Sequence, residues 1–203
     1  MEDNGVSVIT ICRNSEDLIQ ETMVSVLNQK YDNFEYIIVD GASTDHTVDL
    51  IEQMLKKFTD KGICVDFRSE MDKGIQDAEN KGLQRATNKW SILLHAGDTF
   101  VDDLVLHRVF TEKDFSNIHG VYGDTVYCWD KYDWVKKPQP FETIFSGLTL
   151  PFCTQSVFVR TEVYRKYGFN SEYSPAADYH LFSQLFVEGH QFTYCLLYTS
   201  RCV

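Results

Sequence analysis

The sequence predicts an α/β protein, a mostly parallel sheet with helices on both faces. Three observations carry that reading. Runs of β-branched apolar residues alternate with helix-periodic stretches through the first hundred residues. Most runs end at polar or glycine-containing turns. The chain, at 203 residues, is long enough to bury a full core without covalent staples. Strand and helix alternating at this spacing is the pattern of parallel strands joined by crossover helices.

Each element has its own local justification. Val6 to Ile11 is a β-branched run suited to a buried strand. Leu18, Ile19, Thr22, Met23, Val26 and Leu27 recur at helical spacing. Phe34 to Val39 reads as a second strand, stopped by Asp40-Gly41. Val48, Ile51, Met54, Leu55 and Phe58 mark a second helix, with Ser43, Thr44 and Asp45 offering caps. Ile63 to Phe67 is a third strand, and Ile75, Ala78, Gly82, Leu83 and Ala86 give a third helix. Trp90 to Leu94 is a fourth strand, closed by Gly97-Asp98. After about residue 105 the rhythm breaks. Val121 to Trp129 and Trp134 to Lys137 read as a hairpin, and Val157 to Val159 as a short strand. Thr161 is placed to cap a helix through Tyr167, and Leu181, Phe182, Leu185 and Phe186 stripe a last one. No repeat or linker divides the chain, so a single domain with one shared core is expected.

Bulk properties exclude several classes. The composition, 43% apolar and 24% charged, is that of an ordinary globular protein. Thirty acidic against nineteen basic residues give a formal charge of −11, which argues against a nucleic-acid partner. The six cysteines show no CxxC spacing, so neither a zinc finger nor a thioredoxin-type site is expected. Cys12 and Cys64 lie in apolar runs, where a thiol behaves as a small hydrophobe. The acidic start at Met1 to Asn4 does not read as a signal peptide. No apolar stretch approaches the ~20 residues that span a bilayer. The expected setting is the cytoplasm with reduced thiols; peripheral contact with the inner face of the cell membrane and a homodimer stay open.

In an open parallel sheet, ligands bind beyond the carboxyl ends of the strands. Those ends hold Thr10, Arg13 and Asn14, then Asp40, Gly41 and Ser43, then Glu70, Asp72 and Lys73, then His95, Gly97 and Asp98. One aspartate after a strand is commonly a turn or a cap. Four polar ends together point to a ligand site. His46, His95 and His119 lack metal-ligand spacing and read as loop or core histidines. Trp129, Trp134, Lys136 and Lys137 read first as a twisted hairpin with a basic edge, and second as a surface for a sugar or a lipid diphosphate.

These residues resemble a known family. Val8 to Asn14 followed by Ile38 to Asp45 looks like the opening of the family 2 glycosyltransferases, which have the GT-A fold. Ser69 to Gly82 is similar to a motif of one bacterial branch, acting on surface polysaccharides and glycolipids, that usually reads E-x-D-x-G-x-Y-D-A-M-N-K-G. Leu94-His95-Ala96-Gly97-Asp98 resembles that branch's metal-binding motif, usually N-A-G-D, and Ala176 to Tyr179 its late acidic motif. The matches span residues 6 to about 190.

The resemblance implies transfer of a sugar, with inversion, from a nucleotide-diphosphate sugar, a UDP-sugar foremost, to a hydroxyl of a glycan or lipid-linked glycan. It puts Thr10 and Asp40 at the nucleobase, with Ser43 in the same donor site, Arg13 and Lys73 near the nucleotide, and Asp72 by the base or ribose. Asp98 would ligate Mg²⁺ or Mn²⁺, and Asp178 would take the acceptor's proton. About residues 1–100 would form the nucleotide-sugar half and about 101–203 the acceptor half. Three departures stand out. The branch's Tyr and Met are Gln76 and Glu79, its H-Q is Thr154-Gln155, and the chain stops at Cys195 to Val203 where relatives continue with further strand and helix. Two rivals remain. One is a transferase-like module that binds without turnover. The other is a flavodoxin-like signalling domain with Asp40 as phospho-acceptor, although Arg13-Asn14 stand where it would carry acids.

Overall fold

The computed structural model describes residues 4–111, 115–129, 132–147 and 149–202. The first half holds β1 (Val6–Cys12), α1 (Ile19–Leu27), β2 (Phe34–Asp40), α2 (Thr47–Asp60), β3 (Cys64–Ser69), α3 (Ile75–Arg85) and β4 (Trp90–Leu93). The second half holds β5 (Thr99–Phe100), α4 (Val105–Phe110), β6 (Gly120–Trp129), β7 (Tyr132–Lys136), β8 (Val157–Arg160), α5 (Thr161–Tyr167), α6 (Ala177–Val187) and β9 (Phe192–Cys202). Among the described residues the strands form one sheet in the order β3-β2-β1-β4-β8-β6-β9-β5, with β7 paired on β6. β3, β2, β1 and β4 form the parallel block. Beyond it β8 runs antiparallel to both β4 and β6, and β9 returns parallel to β6. A flavodoxin-like order is 2-1-3-4-5, so this topology sets the signalling rival aside.

β1 shows why the sheet carries helices on both faces. All seven of its residues are buried, and side chains alternate across a strand. Val6 and Val8 join one apolar cluster with Met23 of α1, Phe58 of α2 and Val109 of α4. Ile9 and Ile11 join a second with Leu83 of α3, Tyr164 of α5 and Phe182 of α6. Each cluster draws side chains from both halves of the chain, with Phe158 and Val121 in the first.

The structure differs from the sequence reading at specific places. Cys64 is exposed, because β3 is the sheet edge. Leu18 and Ile75 fit the helical stripes yet are exposed, whereas the acidic Glu79 is buried on α3. His46 occupies the cap position of α2, and Asp45 caps from one residue earlier by accepting the Thr47 amide at 3.0 Å. Thr161 caps nothing; its hydroxyl pairs with Ser91 at 2.7 Å inside the core. The stretch 192–202 forms β9, a strand that no clean alternation announces. Met1 to Asp3, Val203 and the side chains of Trp129 and residues 196–202 lie outside the described residues.

Candidate active site at the strand ends

The loops after β1 and β2 are stapled to each other in both directions. The Asn14 amide donates to Ser43 Oγ at 2.7 Å, and Asn14 Oδ1 accepts the Thr44 amide at 2.8 Å. The Ser15 amide donates to Thr47 Oγ1 at 2.7 Å, and Glu16 Oε2 accepts the His46 amide at 2.8 Å. Asn14 and Ala42 adopt left-handed backbone, with φ of 50° and 56°. That conformation is uncommon for non-glycine residues.

Asp40 lies beneath this clamp and is fully buried. Its Oδ2 accepts from the Ser43 amide at 3.0 Å and from Ser69 Oγ at 2.6 Å. Its Oδ1 accepts from Ser43 Oγ and from Cys12 Sγ. Burial first, and then the Asp40 carboxylate, push the Cys12 thiol pKa far above its ordinary value. Thr10 is also fully buried, and its Oγ1 accepts the Tyr36 hydroxyl at 3.0 Å.

Above the clamp lies a cleft of about 360 Å³, lined by Ile11, Cys12, Arg13, Asp72, His95 and Ala96 among others. Gly41 is what lets its walls close. A Cβ there would come within 2.2 Å of Asp72 Oδ2 and 3.2 Å of Arg13 Cδ. Asp72 Oδ1 accepts the Gly74 amide at 2.9 Å, and Gly74 has φ of 118°, a value that favours glycine. Lys81 fixes the outer loop through Glu70, Asp77 and the Met71 carbonyl. Lys73 is exposed on that loop and does not line the cleft.

The floor holds a feature that the strand-end reading passed over. His95 lines the cleft, and its Nε2 lies 3.1 Å from Glu79 Oε1. Burial pulls the imidazole pKa down, but the Glu79 carboxylate overrides it and holds the value above 6.5. The signal was present in the sequence: an acid at an inward position of α3 needs a partner. Asp98 follows at the turn, with its amide donating to the His95 carbonyl at 2.9 Å, and is largely buried.

Across His95 lies a second cleft of about 550 Å³, lined by Tyr127, Lys136, Cys153, Gln155, Asp178 and Tyr179 among others. Gln155 Nε2 lies 3.5 Å from His95 Nδ1, so one imidazole touches the wall of each cleft. Asp178 stands in the first turn of α6 and accepts the Tyr179 amide at 2.7 Å. Trp134 stacks on Tyr127 with ring centroids 5.6 Å apart, and Lys136 sits over the same ring. The hairpin reading of this segment holds, and the hairpin also walls the second cleft. The structure therefore brings Arg13 and Asp72 together, holds Asp40 and Ser43 below them, and sets Asp178 apart.

The chain matches the description "Glycosyl transferase family 2" over residues 7–186. It belongs to that family. A PGL/p-HBAD biosynthesis glycosyltransferase of Mycobacterium bovis is 27% identical over 177 residues, which cover 85% of this chain and 66% of that protein. The chain thus spans about two thirds of the length of this relative. Among solved structures, S. aureus TarS 1-349 in complex with UDP-GlcNAc superposes with a TM-score of 0.78 at 17% identity, over 97% of this chain and 58% of that one. The mannosyltransferase PcManGT from Pyrobaculum calidifontis, in complex with GDP-Man and Mn²⁺, gives a TM-score of 0.72 at 20% identity, over 97% and 56%. These likenesses establish a GT-A-type fold for this family 2 member.

Proposed function

We propose that the protein is an inverting, metal-dependent glycosyltransferase that moves a sugar from a UDP-sugar to a hydroxyl of a glycan or lipid-linked glycan. The observation that carries the reading is the pair of clefts meeting at His95, with Arg13 and Asp72 in one and Asp178 in the other. The donor nucleotide takes the first cleft, at the carboxyl ends of the parallel strands. Arg13 stands near the nucleotide and Asp72 by its base or ribose, both in the cleft wall, while Lys73 approaches from the exposed loop outside it. Asp40 and Ser43 shape the base slot from beneath, and Thr10 supports it through its strand. About residues 1–100 form this half, and about 101–203 the acceptor half.

Asp98 suits a hard divalent cation, since a carboxylate oxygen is the donor Mg²⁺ and Mn²⁺ prefer. Among the described residues, no three Asp, Glu, His or Cys side chains converge to hold a metal alone. The remaining ligands would come from substrate phosphates and water, as they commonly do for Mg²⁺. The ion would supply Lewis-acid neutralisation of the departing diphosphate. Asp178 accepts the proton of the acceptor hydroxyl as that oxygen bonds to the anomeric carbon and the bond to the diphosphate breaks. One base and one displacement suffice for inversion. Solved structures of the same fold hold UDP-GlcNAc, and GDP-Man with Mn²⁺. No helix among the described residues is long and apolar enough to cross a membrane. The reading places the work in the cytoplasm.

A thermal-shift series with UDP, ADP and CDP, each with and without Mn²⁺, tests the reading. A ligand that binds only the folded state stabilises it by RT ln(1 + [L]/Kd). UDP with Mn²⁺ should raise Tm most. Equal shifts for all nucleotides, or none, would overturn it.

A further inference from the structure

We propose that His95, clamped by Glu79, is a positioning residue that holds the Gln155 amide at the junction of the two clefts and so sets how an acceptor meets Asp178. The proposal rests on the transferase reading above. Glu79 is 6% exposed, on the face of α3 that also carries Ala78 and Gly82. A carboxylate there must be paired, and His95 Nε2 at 3.1 Å is its hydrogen-bond partner. An imidazole's tautomer is set by what its other nitrogen bonds. In the neutral ring, with Nε2–H given to Glu79, the Nδ1 lone pair faces Gln155 Nε2 at 3.5 Å. The oxygen of the same amide accepts from Cys153 Sγ at 2.9 Å and from Thr154 Oγ1 at 3.1 Å. Both ends of the Gln155 amide are therefore held, and its second N–H remains for an acceptor oxygen. Gln155 and Asp178 line the same cleft.

The two residues also depart together from the branch motifs that the sequence resembles, which carry Met at position 79 and Asn at position 95. Glutamate and histidine stand at both positions here, and they touch each other.

The test compares the parent with Glu79→Met, Glu79→Gln, His95→Asn and the Glu79→Met/His95→Asn double variant. Two measurements are made: ¹⁵N NMR of the His95 ring and Gln155 side-chain amide, and hydrolysis of UDP-GlcNAc with water as acceptor. The parent should show the Nε2–H tautomer. Glu79→Met should lose it and shift the Gln155 signals, while Glu79→Gln retains an acceptor and keeps both. Hydrolysis in Glu79→Met should fall about tenfold in kcat at unchanged KM for UDP-GlcNAc. The double variant should recover part of that loss. Gln155 signals that do not move in Glu79→Met overturn the proposal, as does a KM rise at unchanged kcat. A parent that hydrolyses no UDP-GlcNAc counts against the transferase reading instead, and the Gln155 signals then decide the positioning alone.

Discussion

Gly82 of α3 lies so close to Ile9 of β1 that a methyl group would not fit between them. A Cβ at residue 82 would stand 2.4 Å from Ile9 Cγ2 and 3.4 Å from Val39 Cγ2. The contact brings α3 down onto the parallel strands and sets the height of Glu79 and of the loop before it. In an ordinary helix interior, alanine would be the better residue by about 1 kcal/mol. Here overpacking opposes that gain, at about 1–3 kcal/mol. Gly82→Ala should therefore lower stability in denaturant melts. A neutral or stabilising result would show that the helix can lift without loss.

Asp40 should behave as the keystone of the loop clamp. Asp40→Asn keeps the shape but turns an amide NH₂ toward donors that now meet a carboxylate oxygen. Leaving buried donors unpaired costs about 1–3 kcal/mol. The chevron midpoint of the variant should move to lower denaturant. No movement would mean that the carboxylate is not needed for the fold.

Asp98→Ala separates a metal ligand from a turn residue. If Asp98 ligates the ion, the Mn²⁺-dependent part of UDP binding disappears in calorimetry while the fold persists. Retained metal dependence would remove Asp98 from the site.

Asp178→Asn should leave Tm and UDP affinity near parental values, since the Tyr179 amide still meets a side-chain oxygen. Transfer to an acceptor should drop by about 10²–10⁴, the usual contribution of a positioned base. Transfer at the parental rate would exclude Asp178 as the base.

His190 predicts an acid-labile fold. Burial first, and the neighbouring His119 second, lower its pKa below 6.5, with the two rings 4.7 Å apart. The unfolded chain then takes up the proton more readily. The stabilising contribution is complete above pH 6.5 and is lost as pH falls from there toward the folded-state value. Tm should fall between pH 7.5 and 5.5, and His190→Gln should flatten that slope. Equal slopes for parent and variant would refute the assignment.

Much of the fold could be read from residue patterns because its parallel block is built from local signals. Val6 to Ile11 and Phe34 to Val39 are continuous β-branched and aromatic runs, and Ile51, Met54 and Phe58 keep a helical period. The second half was less legible. β9 pairs with β6 from about seventy residues away, and such long-range pairing leaves no local trace. Arg13, Asp72 and Asp178, which line the two clefts, were conspicuous as polar residues after strands or before a helix. Thr10 and Asp40 were conspicuous for the same reason, but their full burial was not legible in the sequence. His95 and Gln155 were missed as a pair because they lie sixty residues apart and only the β4–β8 junction brings them near.

The reciprocal bonds between residues 14–16 and 43–47 have a consequence for how a ligand arrives. Asn14 and Glu16 reach across one way, and Ser43 and Thr47 reach back, so neither loop can swing without breaking its neighbour's contacts. The rim of the first cleft is already shaped before anything enters it. Loops that must be ordered on binding subtract that entropy from affinity, and a rim ordered in advance does not. Encounter at this end should therefore follow simple one-step kinetics, with the association rate proportional to ligand concentration and free of any slow closing phase.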